Sequence, residues 1–159
     1  MSDEVLREQL QKFLTWGKAH ADWAAALKDF PKAKRSEKPK GAPYSAWELL
    51  EHVRIAQWDI LNFCRDPKHA SPDWPTGYWP KTPAPPSDAA WEQTAEAVQK
   101  DAEAMGELVM DARNDLYAPI AHGKGQTILR EALLLADHNS YHLGQFVLLR
   151  RMLGAWPEK

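Results

Sequence analysis

The chain has 159 residues, 44% hydrophobic and 26% charged, enough for one compact domain spanning 1–159 that buries roughly 70% of its unfolded surface. Lys and Arg total 20 against 22 Asp and Glu, a formal charge of -2, so no basic excess exists to neutralise phosphates and nucleic-acid binding is not expected. The single cysteine, Cys64, excludes an internal disulfide framework and a multi-cysteine zinc site and predicts a reducing, cytoplasmic setting. The residues from Met1 to Glu8 are charged where a secretion signal is apolar, and no run approaches the ~20 apolar residues of a membrane span. Neither export nor membrane insertion is expected. Against this ordinary background stand 8 Trp and 6 His.

The 12 prolines cluster, leaving proline-free windows at 1–30, 44–66, 87–118 and 120–156. Proline removes a donor and clashes with the preceding helical turn, so its clusters punctuate helices. The first window places Leu6, Leu10, Phe13, His20, Ala21, Ala24 and Leu27 on one helical stripe, with Ser2 or Asp3 as cap. The second opens on Ser45-Ala46-Trp47-Glu48, a capping box, and its inner stripe runs Leu49, His52, Val53, Ala56, Ile60 and Phe63. The third follows Ser87 or Asp88 as cap, with Trp91, Ala95, Val98, Ala102, Met105, Val109 and Ala112 at helical spacing. The fourth begins near Thr127, carries Ile128, Leu135, His142, Phe146, Leu149 and Leu153, and stops at Gly154 and Pro157. Period-two alternation is missing throughout, so the pattern predicts an all-α four-helix bundle. The Pro67–Pro86 connection exceeds the ~12–15 residues of an ordinary loop and holds Trp74, Tyr78 and Trp79, which predicts that it packs over the bundle.

His138 and His142 form an H-x-x-x-H pair whose members share one helical face and can grip a metal ion, although such a pair also arises among core or surface histidines. His52 lies on an apolar stripe of another helix, where an unpaired ring costs roughly 1–3 kcal/mol. It is either a third ligand or a hydrogen-bonded core histidine. Three imidazoles around a divalent ion leave coordination positions open, the arrangement of a catalytic site. His20 is a fallback ligand or base with a structural reading ahead of it, and His69 and His122 are read as solvated loop residues. Glu48 and Gln145 can orient a ligand ring, with capping already explaining Glu48. Asp137, about 100° around the helix from His138, reads as a surface residue. Cys64 has no neighbour that activates a thiol and reads as packing. Trp16, Trp23, Trp47, Trp58, Trp91 and Trp156 read as packing residues, whereas Tyr78 and Trp79 are candidates for a pocket mouth.

The segment from Ser45 to Val53 resembles the second-helix motif of the DinB-like family, the DinB/YfiT superfamily, in which a Trp, a Leu pair and a ligand histidine recur. The segment from Asp137 to Gln145 resembles that family's fourth-helix motif, an H-x-x-x-H pair followed by Gly-Gln. The order and spacing of the motifs extend the resemblance over nearly the whole chain. It implies a four-helix bundle of up-down-down-up topology, a divalent metal, commonly zinc or nickel, on His52, His138 and His142, and a homodimer. It further implies thiol S-transfer as the leading activity; the histidine set by itself leaves as alternatives metal-dependent hydrolysis, with His20 or Glu48 as base, or a non-catalytic metal-binding stress-response role. The expected partners are a small-molecule thiol and an electrophile, with no nucleic acid and no membrane. No Arg and Lys cluster identifies the thiol.

Overall fold

A computed structural model describes residues 3–15 and 19–157 of the chain. Its helices are α1 (Glu4–Thr15), α2 (Trp23–Leu27), α3 (Ala46–Arg65), α4 (Asp88–Met110) and α5 (Ile128–Met152). Among the described residues no strand forms beyond one isolated bridge between Pro119 and Thr127. The fold is all-α. Caps account for the starts of the long helices. Ser45 and Glu48 close a reciprocal capping box on α3, Ser87 accepts from the Ala90 N–H at 3.1 Å, and Thr127 accepts from the Arg130 N–H at 3.1 Å.

The first window departs from expectation by carrying two helices. Asp22 accepts from the Ala25 N–H at 2.7 Å and caps a new helix at Trp23, so His20 and Ala21 fall in the connection instead of on a continuous stripe. Phe13 is 54% exposed. The carboxylate of Asp3 pairs with Arg7, while the proposed Ser2 cap and the packing role of Trp16 lie outside the described residues. In the third window Ala112 lies past the end of α4 and is exposed.

Helix α4 packs against α1 and α3, and α5 packs against α3. The apolar interior has two halves. One gathers Phe30, Trp47, Leu50, Val53, Trp91, Val98 and Phe146, and the other gathers Leu10, Leu61, Met105, Val109, Leu116 and Leu135. Between them along α3 and α5 lie Gln57 and Asn139, both buried, with the Asn139 amide donating to Gln57 Oε1 and Gln57 Nε2 donating to the Val98 carbonyl at 2.9 Å.

Three arginines are buried, which the apolar stripes did not anticipate. Arg7 donates to the carbonyls of Val109, Asp111 and Asn114 around the end of α4. Arg150 donates to Ala26 and Lys28 at the end of α2 and to Ala155. Helix C-termini leave carbonyls without intrahelical partners and carry partial negative charge, so a guanidinium fork both pairs and complements them. Arg35 bridges Asp88 and Glu92 at the start of α4.

Candidate metal centre

Helix α3 turns His52 inward, and α5 turns His138 and His142 toward it from one face. Their ligand atoms all lie within 4.8 Å of one another. The Nε2 atom of His52 is 3.2 Å from Nε2 of His142 and 3.1 Å from Nε2 of His138. The outer nitrogens of two rings are engaged. His52 Nδ1 donates to the Tyr78 carbonyl at 2.8 Å, and His142 Nδ1 donates to Gln145 Oε1 at 2.8 Å.

These bonds decide what the inner nitrogens are. A neutral imidazole carries one N–H, and both rings spend it on an oxygen, so His52 and His142 direct bare lone pairs at each other. A proton between them is disfavoured. Burial lowers the pKa of His52 against the opposing bond to Tyr78, burial and then His52 push His142 down to about 4, and burial, then His142 and His52, push His138 down to about 3. A cation is the partner that the facing lone pairs of His52 and His142 lack, His138 brings its Nε2 to the same point while its buried Nδ1 has no partner among the described residues, and the residues present fit a divalent metal ion. Three imidazoles suit a first-row transition metal and leave coordination positions for a further ligand.

The long connection covers this centre as a strap. Its Thr76–Tyr78 turn packs on α3 and delivers the Tyr78 carbonyl to His52. Trp79 stacks on the His52 ring, and Tyr44 stacks on Trp79 with centroids 4.1 Å apart. Tyr78 and Trp79, expected at a pocket mouth, instead pack directly on His52, whereas Trp74 is 76% exposed.

The family model of the DinB superfamily matches residues 15–146. The chain belongs to the DinB superfamily. No curated protein and no solved structure matches it. In this DinB superfamily member, the two histidines singled out by spacing and the one singled out on an apolar stripe are brought together by the fold.

The remaining candidates separate by environment. His20 is exposed and lines a cavity of about 610 Å³ between α1, α2, α4 and α5, which none of the three clustered histidines lines. Glu48 is committed to the capping box and to Lys38 at 2.8 Å. Gln145 orients His142, and Asp137 is exposed. His122 is exposed and donates to the Phe63 carbonyl at 2.7 Å. Burial, followed by the charge of Glu131, pushes the Cys64 thiol up to about 12, which removes it as a nucleophile near neutral pH. Trp58, expected as packing, is 40% exposed and meets His69 edge to face.

His69 is the clearest correction. Its side chain is only 5% exposed, because Nε2 donates to Asp59 Oδ1 at 2.7 Å. The other oxygen of Asp59 accepts from the Tyr78 hydroxyl at 2.6 Å. Asp59 escaped notice in the sequence, although its position seven residues after His52, on the same face of α3, marked it.

Proposed function

We propose that the protein is a divalent-metal-dependent enzyme that transfers a low-molecular-weight thiol to an electrophilic substrate, with His52, His138 and His142 as its metal ligands. The observation that carries this reading is the convergence of three Nε2 atoms, two of which, on His52 and His142, belong to rings held in the tautomer that presents a lone pair inward. When bound, a zinc or nickel ion would supply Lewis acidity that favours loss of the proton from a coordinating thiol near neutral pH.

The chain's own residues do the rest. His52 and His142 keep their outer N–H on Tyr78 and Gln145, so both rings stay oriented for ligation. Trp79 shields one face of His52 and is itself backed by Tyr44, so the two stacked aromatics wall that side of the site. The thiol proton leaves to solvent, sulfur bonds to the electrophilic carbon, and the leaving group departs with the electron pair of the broken bond. With the Cys64 thiol pushed up to about 12, the sulfur comes from a cosubstrate. The hydrolytic alternative finds less support, because Glu48 is held in its cap and His20 lines a separate cavity.

The single cysteine favours a cytoplasmic setting, no described helix is long and apolar enough to cross a membrane, and family membership favours a homodimer. The deciding experiment assays purified protein of measured zinc or nickel content against a thiol panel with a generic electrophile. Thiol-dependent turnover that disappears in His138→Ala together with the metal is expected. Turnover without added thiol would replace the reading with hydrolysis, and stoichiometric metal without turnover would replace it with a non-catalytic metal-binding role. Metal retained at full stoichiometry by His138→Ala would overturn the ligand assignment.

A further inference from the structure

The strap places a backbone carbonyl on His52, yet the strap itself is irregular chain between α3 and α4, and something must fix it. Asp59 does so from the helix that carries the ligand. It lies two turns after His52, roughly 10 Å along α3, and is 8% exposed. One carboxylate oxygen holds His69 at the beginning of the strap and the other holds Tyr78 at its innermost turn. A buried carboxylate bonded twice resists displacement, because moving the strap would leave its charge unpaired.

The segment between these two anchor points is stiff. A Cβ on Gly77 would lie 2.7 Å from the Cβ of Pro72, so the turn is folded tightly on the preceding chain. Fixing the Tyr78 hydroxyl therefore also fixes the Tyr78 carbonyl and, one residue on, the Trp79 indole. These two groups hold His52 by its outer nitrogen and by its ring face.

We propose that Asp59 is a positioning residue for His52, acting through Tyr78 and Trp79 to lock the tautomer and orientation that turn Nε2 toward the metal centre. The link to metal affinity rests on the metal-binding reading above. The link to the His52 ring does not.

The test uses full-length protein labelled with ¹⁵N-histidine, in wild type, Asp59→Ala, Asp59→Asn and Tyr78→Phe. Two quantities are read: hydrogen exchange of the His52 Nδ1–H in metal-free protein, and Zn²⁺ affinity by chelator competition. Tyr78→Phe keeps the carbonyl and the ring and loses only the hydroxyl, so it carries the test if Asp59→Ala fails to fold. In Asp59→Ala and Tyr78→Phe we expect ring N–H exchange to quicken at least about 10-fold and Zn²⁺ to bind about 10-fold more weakly, the scale of a lost outer-shell partner. Asp59→Asn, which keeps one acceptor oxygen, should recover part of both. Unchanged ring exchange in a folded Tyr78→Phe overturns the positioning role, whatever the metal does. Quickened exchange in a protein that binds no Zn²⁺ supports the positioning role and overturns the metal reading alone.

Discussion

The indole of Trp79 lies against the imidazole of His52 with ring centroids 4.0 Å apart and planes within 2° of parallel. The contact excludes water from one face of a ring that the chain also holds by its outer nitrogen. Replacing Trp79 with Ala opens that face, so the His52 pKa, lowered chiefly by burial, should rise toward 6.5. An NMR titration of metal-free protein reads the change, and an unmoved titration would show that the stack does not supply the burial.

Gln145 sets the tautomer of His142 through a 2.8 Å bond to Nδ1. Gln145→Ala should weaken Zn²⁺ binding by about 10-fold to 100-fold without unfolding the helix, because the residue is only half-buried and its backbone stays in α5. Gln145→Glu, which offers a charged acceptor to the same N–H, should bind Zn²⁺ at least as tightly as wild type. Chelator competition distinguishes these outcomes.

Acid should destabilise the metal-free protein well above the usual carboxylate range. His138 and His142 titrate at about 3 and about 4 in the folded chain, whereas both return to near 6.5 on unfolding. Between those limits the unfolded state binds protons that the folded state refuses. The stability they contribute is therefore complete above about 6.5 and is lost as pH falls through that value toward the folded pKa values. Urea unfolding from pH 7.5 to 4.5 measures the slope, and a His138→Gln/His142→Gln double variant should flatten it.

Arg7 closes the end of α4 with three carbonyl contacts while its own helix lies on the opposite side of the interface. Arg7→Ala leaves buried carbonyls unpaired and should cost about 3 kcal/mol of stability. Zn²⁺ affinity should hardly change, because no contact of Arg7 reaches the histidine cluster. Denaturant unfolding paired with chelator competition separates the two effects.

How far such a site can be read from sequence depends on the range of the interaction. His138 and His142 share a helix face by local geometry, and His52 betrayed itself as a polar residue on an apolar stripe. The capping box at Ser45, the cap at Ser87 or Asp88 and the helix start near Thr127 are likewise local, and the structure places caps at Ser45, Ser87 and Thr127. The break between α1 and α2 was also signalled locally, by Asp22, but the run of leucines and alanines across it masked the signal. His69 and Asp59 were not legible in this way. Their pairing requires the chain to leave α3, reverse over ten residues and return, and no periodicity encodes such a path. The buried arginines are similar, since the carbonyls they pair with belong to helix ends more than 100 residues away for both Arg7 and Arg150.

The amide contact between Gln57 and Asn139 has a consequence for how the two ligand-bearing helices can slide. Gln57 follows His52 by five residues, and Asn139 sits between His138 and His142, so the pair pins α3 to α5 beside the cluster. A slip of one helical turn, about 5.4 Å, would separate the facing imidazoles beyond the span of a single ion. It would also strand the buried Asn139 amide and the Gln57 Oε1 that accepts from it, a penalty that an all-leucine seam would never impose. The polar layer therefore acts as a detent: it makes the axial offset between helices a discrete choice, and the offset it selects is the one at which three nitrogens meet.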